Sequence, residues 1–213
     1  MTEYVIDKRF NSEVERTDRV LEIAESFGLG LDDKEFVVFD KQVIPVDQGD
    51  IVYITGQSGS GKSVLLRELS AQMNAAGLVV ADIEKVELKP IPLIDQIGKT
   101  NGEGLNFLSL AGLNDANIFI RKPDELSDGQ RYRFRLAKVI ESGAQVWVAD
   151  EFLAVLDRTT AKVLAYNLQR TARKLGATLI VATTHMDMVE DLDPDLYVDK
   201  RYREKITIKA KDK

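Results

Sequence analysis

Eight consecutive residues carry the clearest chemical pattern in the chain: Gly56, Gln57, Ser58, Gly59, Ser60, Gly61, Lys62 and Ser63. Glycines allow successive backbone N–H groups to turn inward around an anion, and a helix that starts at the loop adds its positive dipole end. Lys62 adds a full charge, and the Ser63 hydroxyl is placed to hold Mg²⁺. The spacing therefore predicts a loop that binds the phosphates of a nucleotide.

Two elements must hold this loop in place. An apolar run over residues 51–54 precedes it, and a helical pattern of apolar residues follows it at Val64, Leu65, Leu66, Leu69 and Met73. A strand, a glycine loop and a helix in this order are the context that such a phosphate site requires. A flexible Gly/Ser loop is the simpler alternative, and this context argues against it.

Two carboxylates, Asp150 and Glu151, directly follow an apolar strand predicted over residues 146–149. At the carboxyl end of a strand near a phosphate loop, one carboxylate can support a Mg²⁺ shell. The other can polarise a water towards the terminal phosphate. Acidic residues also begin many turns after strands, so the pair indicates a catalytic role only in combination with the glycine loop.

A third group of residues opens a predicted helix and comprises Leu126, Ser127, Asp128, Gly129 and Gln130. Hydroxyl and backbone N–H groups at a helix start can bind an anion, which would make this segment a second phosphate-binding device. An ordinary helix cap is the alternative. Together with a phosphate loop elsewhere in the chain, the pattern favours anion binding.

The composition is typical of a soluble globular protein. The 213 residues are 44% hydrophobic and 30% charged, which is enough for one large domain with a proper core. No apolar run approaches the length of a membrane span, and the N-terminus lacks a signal-peptide pattern, so we expect a cytoplasmic protein without direct membrane insertion. Because there is no cysteine and one histidine, we expect neither disulfides nor a protein-built zinc site, and any metal should be Mg²⁺ that arrives with a nucleotide.

The charge distribution leaves nucleic acid as a conceivable but less favoured partner. A net charge of −6 argues against binding over the whole surface. Residues 200–213 nevertheless carry seven basic and two acidic residues, and Arg131, Arg135 and Lys138 share one helix face. A solvated basic C-terminal tail, placed at 201–213, and surface ion pairs are the simpler interpretation.

The first 35 residues predict an N-terminal extension packed on the core. Residues 4–6 are typical of a short strand, and Asn11 or Ser12 could cap a helix that ends at Gly28. Polar turns then separate three apolar runs, which predicts an antiparallel layer leading into the phosphate loop: residues 36–39, 43–46 and 51–54.

The remainder of the chain alternates strands and helices, which indicates a parallel sheet with helices on both faces. Residues 78–81 should form a parallel neighbour of the loop strand. Further strands are expected at 146–149 and 178–182, with helices at about 130–142 and 160–175. Proline and glycine break the pattern between residues 90 and 124, so short helices and loops are expected there.

Taken together, these motifs resemble those of ATP-binding-cassette (ABC) ATPases over roughly residues 36–190. Residues 56–63 resemble the Walker A loop, residues 126–130 the family signature, and residues 146–151 Walker B. Residues 154–157 are similar to the D-loop, Thr183-Thr184-His185 to the switch histidine, and Gln96 to the Q-loop glutamine. The resemblance implies an α/β fold of P-loop NTPase type, with a mainly parallel sheet, an antiparallel β layer and a shortened helical subdomain at about 91–142 within an ATPase domain at 36–200.

The resemblance also implies ATP and Mg²⁺ as cofactors and gives each motif a role. Lys62 would bind the β- and γ-phosphates, and Ser63 and Gln96 would bind Mg²⁺, with Asp150 supporting that shell. Glu151 would be the general base and His185 would contact the γ-phosphate, which supplies catalysis mainly by positioning and charge stabilisation.

Two copies would form a head-to-tail homodimer on ATP binding. Ser127 and Gly129 of one copy would then reach the γ-phosphate held by the other, and Asp157 would couple the two sites. Phe36 is the candidate for stacking on adenine, whereas Phe39, Tyr53 and Trp147 are expected in the core.

Two departures from the family pattern bear on function. Phe152 stands where the family commonly has proline, a change expected to matter little. Only thirty positions separate Gln96 from Leu126, which is short for the helical subdomain on which membrane subunits dock. The sequence around residues 183–185 and 191–195 looks most similar to soluble cassettes that are sometimes fused to acetyltransferase-like domains.

The leading hypothesis is therefore a soluble Mg-ATPase that dimerises on ATP and moves an unidentified protein partner. The nucleotide-binding subunit of an ABC transporter is one alternative. An ATP-dependent clamp on DNA or protein is the other.

Overall fold

The computed structural model describes residues 2–32, 34–202, 204 and 206–211. The chain separates into two compact units, a smaller one of residues 3–44 and a larger one that comprises Thr2 and the chain from residue 45 onwards. The smaller unit thus ends later than the predicted N-terminal extension of residues 1–35.

The smaller unit contains β1 (Thr2–Ser12), α1 (Asp18–Phe27) and most of β2 (Lys34–Val46), and the two strands form a two-stranded sheet. Thr17 caps α1, because its hydroxyl accepts a hydrogen bond from the backbone N–H of Val20 at 3.4 Å. Gly28 ends the helix with a φ of 62°, as expected. The predicted caps Asn11 and Ser12 were wrong, since both residues lie in β1.

The larger unit is built on a six-stranded sheet with the order β4-β5-β6-β3-β7-β8. Its strands are β3 (Ile51–Thr55), β4 (Val80–Asp82), β5 (Val146–Ala149), β6 (Thr178–Thr183), β7 (Leu196–Asp199) and β8 (Thr207–Ala210). Every neighbouring pair is parallel except β7 and β8, which are antiparallel. The predicted, mainly parallel α/β architecture is confirmed.

Two predictions about strand neighbours were wrong. The runs 36–39 and 43–46 form the single strand β2, in which Lys41 adopts a φ of 46° without reversing the chain. β3 pairs in parallel with β6 and β7 and does not join an antiparallel layer. β4 lies at the sheet edge beside β5, so it is not a neighbour of the loop strand β3.

Helices cover both faces of this sheet. Side chains alternate between the two faces along each strand, so each face has side chains that pack against helices. The helix α2 (Lys62–Ala75) contacts β6 and β4 on one face. On the other face, Tyr53, Trp147 and Leu179 join one buried core with residues of α5 (Asp128–Glu141) and α6 (Arg158–Leu175). Tyr53 and Trp147 are buried, as predicted for core residues.

The segment between α2 and α5 is a small helical subdomain of short elements. It contains a 3-10 turn (Leu93–Gln96), α3 (Asn101–Leu110), α4 (Ala116–Phe119) and a second 3-10 turn (Pro123–Glu125). α3 packs against α5, which ties the subdomain to the core. The predicted short helices and loops are confirmed. Within the part of the chain that the structure describes, no helix is long and apolar enough to cross a lipid bilayer.

The C-terminal segment contains structure that the sequence did not predict, namely α7 (Val189–Leu192), β7 and β8. Lys200 is buried and its ammonium donates to the backbone carbonyls of Arg201 and Glu204. Arg201 and Lys211 form ion pairs with Asp199 and Asp193. These contacts favour a structural role for this part of the basic tail; Arg203, Lys205, Asp212 and Lys213 lie outside the described residues.

Candidate functional site

The glycine loop connects β3 to α2, as predicted. α2 begins at Lys62, and Gly61 caps it with a φ of 105° and without a side-chain hydrogen bond. The first N–H groups of the helix therefore remain available to an anion. At Gly56 a Cβ atom would lie 1.9 Å from the Lys200 carbonyl oxygen, so only glycine lets the loop pass there.

The charged centre of the loop is the ammonium group of Lys62. The side chain is buried, and Nζ donates to the carbonyl oxygens of Gly56 at 2.9 Å and Gln57 at 2.8 Å. Burial lowers the pKa of Lys62, while the charges of Asp150 and Glu151 oppose this effect. A phosphate bound in the loop would give the ammonium a full counter-charge.

A cavity of about 440 Å³ opens beside the loop. It is lined by Ser58, Gly59, Gly61, Lys62, Ser63, Val64, Asp150, Glu151, Ala154, Thr183 and Thr184. The Ser60 hydroxyl is buried in the loop and has no hydrogen-bond partner among the described residues. An orphaned hydroxyl, free helix N–H groups and a buried ammonium fit a chain of phosphates.

The two groups expected around Mg²⁺ meet at the base of this cavity. The Ser63 hydroxyl donates to Oδ1 of Asp150 at 3.0 Å. This contact forms although β6 lies between β5 and β3 in the sheet, because Ser63 stands in the first turn of α2. A hydroxyl oxygen and a carboxylate are ligands that Mg²⁺ accepts.

The backbone at Glu151 holds an uncommon conformation. Its φ is 53°, in the left-handed region that non-glycine residues rarely adopt, and its side chain is exposed beside the cavity. The next residue, Phe152, is fully buried and its N–H donates to the Ala182 carbonyl at 2.8 Å. Proline has no N–H and could not form this hydrogen bond. Phe152 therefore anchors the loop after Glu151 to β6, which the sequence did not suggest.

Ser127 caps α5 through a reciprocal capping box. Its hydroxyl accepts from the backbone N–H of Gln130 at 3.3 Å, and the Gln130 side chain accepts from the backbone N–H of Ser127 at 3.0 Å. Arg131 donates to the carbonyl oxygens of Pro123 and Leu126, which fixes the preceding turn. The helix-cap alternative is thus present in the structure, but the hydroxyl hydrogen of Ser127 is still available to an acceptor.

A second cavity, of about 420 Å³, brings residues 127–130 together with Asp157. Asp157 caps α6 by accepting from the Thr160 N–H at 3.0 Å, and hydrogen bonds to Thr160 lower the pKa of Asp157. Leu126 is buried below the segment. The cavity is lined by Ser127, Asp128, Gly129, Gln130, Arg133, Val155, Leu156, Asp157 and Thr160. It shares no lining residue with the loop cavity.

The curated relatives of this chain are described as ATP-binding proteins. No protein-family model matches the chain. The chain is 29% identical to "Methionine import ATP-binding protein MetN 1" of Lactiplantibacillus plantarum over 83% of its own length, and 28% identical to a protein described as MetN from Streptococcus pyogenes over 70%. It spans 59% and 53% of the lengths of these two relatives.

Solved structures give the fold. A dimeric structure of the ATP-binding cassette MJ0796 with ADP and Pi matches 98% of both chains with a TM-score of 0.66 at 14% identity. CbiO1 of Clostridium perfringens, part of an ABC transporter complex, matches 78% of this chain and 80% of its own with a TM-score of 0.65 at 19% identity. The chain has the fold of an ATP-binding cassette.

One residue predicted for the metal site of the cassette is not brought to it. The carboxamide of Gln96 donates to the carbonyl oxygens of Lys89 and Ile91 and accepts from the Lys89 N–H, at 2.7–3.0 Å. Gln96 does not line the loop cavity. The prediction of Gln96 as a metal ligand is therefore not supported by this geometry, because both ends of its side chain already bind the 89–91 segment.

His185 directly follows the two threonines that line the loop cavity. Its carbonyl oxygen accepts from the Tyr53 hydroxyl at 2.5 Å, and its N–H donates to Oγ1 of Thr183 at 3.2 Å. These bonds fix its backbone, while its half-buried side chain does not line the cavity. Its contact with a γ-phosphate stays a prediction. Phe36 lies on β2 in the smaller unit with 40% of its surface exposed, and its stacking on adenine also stays a prediction.

Sequence reasoning missed a third acidic position near the site. Glu84 lines a cavity of about 460 Å³ together with Asp82, Ser63 and Asp150. Burial and then the neighbouring carboxylates, first Asp82, raise the pKa of Glu84 to about 7. The available signal was the pair of acidic residues two positions apart at the end of an apolar strand.

Proposed function

We propose that the chain hydrolyses ATP in the presence of Mg²⁺ and that a second copy completes each of its catalytic sites. One observation carries this proposal. The phosphate loop with Asp150 and Glu151 lines one cavity, whereas Ser127, Gly129 and Asp157 line another that shares no residue with it. Groups that must act on one phosphate chain are therefore separated within one copy, and a second copy can bring them together.

The loop cavity binds the nucleotide in this proposal. The N–H groups at the start of α2 and the ammonium of Lys62 bind the β- and γ-phosphates. Ser63 and Asp150 hold Mg²⁺, directly and through its shell. When bound, Mg²⁺ neutralises charge on the phosphate oxygens.

Glu151 is the general base of the reaction. Its carboxylate takes a proton from a water while the water oxygen forms a bond to the γ-phosphorus and the bond from that phosphorus to the ADP oxygen breaks. The products are ADP and inorganic phosphate. The left-handed backbone at Glu151 and the anchor at Phe152 keep the carboxylate at the edge of the loop cavity.

The second copy supplies the remaining contacts. Ser127 donates its free hydroxyl hydrogen to the γ-phosphate bound by the other copy, and the Gly129 N–H supports it. Asp157 shares the second cavity with both residues, which supports its role in coupling the two sites. His185 contacts the γ-phosphate once ATP is bound.

For the protein that the cassette moves, the relatives favour a membrane permease. The two relatives described above are methionine import ATP-binding proteins, and MJ0796 is described as a bacterial ABC transporter cassette. This supports the transporter alternative over the soluble non-transporter hypothesis, and these relatives give no support to an acetyltransferase-like partner. A tagged chain should co-purify with an integral membrane protein from detergent-solubilised membranes; recovery with soluble proteins alone would contradict a permease.

The nucleic-acid alternative loses part of its basis. Arg131 pairs with Asp128, and Lys138 pairs with Glu141 and donates to the Gln96 carbonyl. Arg131 and Lys138 thus form ion pairs within the fold, as expected if they are ordinary surface residues.

The shared-site proposal is tested by mixing two inactive variants. Lys62→Ala removes the charge of the loop cavity, and Ser127→Asp keeps a helix-capping oxygen but places a negative charge towards the phosphate of the other copy. Each variant alone should be inactive. A mixed dimer contains one intact site, because one copy retains Lys62 and the other retains Ser127, so an equal mixture should recover about a quarter of the wild-type rate if sites act independently.

A control mixture contains Lys62→Ala and the double variant Lys62→Ala/Ser127→Asp, in which no combination restores an intact site. This mixture should remain inactive. If the first mixture also stays inactive although the two variants form mixed dimers, each copy must use its own Ser127, and the shared site is wrong.

A further inference from the structure

We propose that Glu84, and not Gln96, is the side chain that approaches the divalent metal from the β4 side of the nucleotide site. This inference rests on the proposed function, since it concerns the metal bound with the nucleotide. With Glu84 in this position, a carboxylate takes the place of the predicted carboxamide, which changes the charge of the metal site.

Gln96 is unsuited to the role because its carboxamide already holds a turn together. Its nitrogen donates to Lys89 O at 2.9 Å and Ile91 O at 2.7 Å, and its oxygen accepts from Lys89 N at 3.0 Å. Moving Gln96 to a metal would break all three bonds.

Glu84 is placed near the metal by the pairing of β4 with β5. Val80 stands opposite Val146 and Asp82 opposite Val148, and the Ile83 N–H donates to the Val148 carbonyl at 2.9 Å. Continuing this register two residues past the last pair, Asp82 and Val148, brings Glu84 level with Asp150. The strand pairing thus places Glu84 beside the carboxylate expected to support Mg²⁺.

The cavities confirm that the two residues face one space. Glu84 and Asp82 line the 460 Å³ cavity, and Ser63 and Asp150 line both this cavity and the loop cavity. The hydrogen-bonded pair of Ser63 and Asp150 therefore has the phosphate loop on one side and Glu84 on the other.

When Glu84 is ionised, the carboxylates that line this cavity outnumber its cations by one. The cations that line the cavity are Arg67, whose Nε donates to the Ser63 carbonyl, and Lys85, which pairs with Asp82 at 2.8 Å. Burial is the largest cause of the raised pKa of Glu84; the charges of Asp82, Asp150 and Glu151 add to it, and Arg135 opposes it. A divalent cation beside Asp150 would relieve this repulsion, because it offers opposite charge to several carboxylates at once.

The experiment measures metal binding directly. Mn²⁺ binding to the protein–ADP complex is followed by electron paramagnetic resonance, and binding of a fluorescent ATP analogue without metal is measured in parallel. Glu84→Gln should weaken Mn²⁺ binding about tenfold or more, since removal of a group that supports a metal site has an effect of this size. Metal-free nucleotide binding should stay unchanged or become tighter, because the variant removes a negative charge.

Gln96→Ala is the matched control and should leave Mn²⁺ affinity within about twofold of wild type, because Gln96 lies outside the metal site. Glu84→Asp should recover part of the loss, since it restores the charge, and it serves in place of Glu84→Gln if that variant does not fold. Loss of Mn²⁺ affinity in Gln96→Ala, or none in Glu84→Gln, overturns the assignment. Failure of the wild-type chain to bind any nucleotide would instead overturn the proposed function.

Discussion

At the scale of single residues, the site depends on a few groups whose positions are fixed by backbone contacts. Lys62 is held by two loop carbonyls, and Ser63 contacts Asp150. Glu151 keeps a left-handed φ because the residue after it is anchored by the bond from Phe152 to Ala182. Uncommon backbone conformations of this kind persist where the surrounding structure enforces them, and they concentrate at functional sites.

Glu151→Gln should retain ATP binding and lose hydrolysis, because an amide of the same size cannot accept the proton from water. We expect the turnover rate to fall at least about a hundredfold, which is the scale of general base catalysis. Phosphate release and nucleotide binding measured on the same preparation check this. Lys62→Ala serves as the contrast, since it should lose binding as well. Undiminished phosphate release in Glu151→Gln would remove Glu151 from the role of general base.

At the scale of elements, the start of α5 has a structural role as a helix cap and, in the proposed function, also contacts ATP. Ser127 and Gln130 satisfy each other's backbone N–H groups, so the turn before the helix is rigid. The same turn lines the second cavity beside the cap of α6 at Asp157. Two helix starts therefore present polar groups to one space, which suits the capture of an anion from another molecule.

The two roles of Ser127 can be separated by substitution. Ser127→Ala removes the cap and should lower the free energy of unfolding by about 1 kcal/mol, whereas Ser127→Asp retains a capping oxygen and should stay near wild type. Urea unfolding checks these values. Hydrolysis should nevertheless be lost in Ser127→Asp, because its charge repels the phosphate. An active Ser127→Asp variant would show that this helix start does not face ATP.

At the scale of the whole molecule, the proposed function requires two copies, because neither cavity contains all the groups that this reaction needs. The dimeric structure of MJ0796 with ADP and Pi shows that this fold forms dimers in another protein. For this chain we propose a dimer that forms on ATP binding, so the mass of the protein in solution should depend on ATP.

Glu151→Gln with Mg²⁺ and ATP should have twice the monomer mass of 23.8 kDa, and it should return to the monomer mass when ATP is removed. The double variant Glu151→Gln/Ser127→Asp should bind ATP yet remain monomeric, because the added charge faces the phosphate across the interface. Light scattering coupled to gel filtration measures both masses. A dimer that forms equally in the double variant would contradict an interface built through Ser127.

The sequence by itself determined the parts of the site that are local in the chain. The glycine loop, the strand that ends just before Asp150 and the helix that begins after Ser127 each depend on residues within about fifteen positions, and local patterns describe such elements well. The parallel sheet followed from the alternation of strands and helices. The capping residue Ser127 and the residue spacing of the glycine loop were enough to place these groups on the correct elements.

Only the tertiary structure decided which elements are neighbours and which side chains are free. β4 pairs with β5 and not with β3, and this pairing places Glu84 level with Asp150. Gln96 matched a motif by position, yet hydrogen bonds to Lys89 and Ile91 occupy its carboxamide. Strand order and side-chain hydrogen bonding arise from contacts between distant residues, and hydrophobic periodicity along the chain contains no information about them.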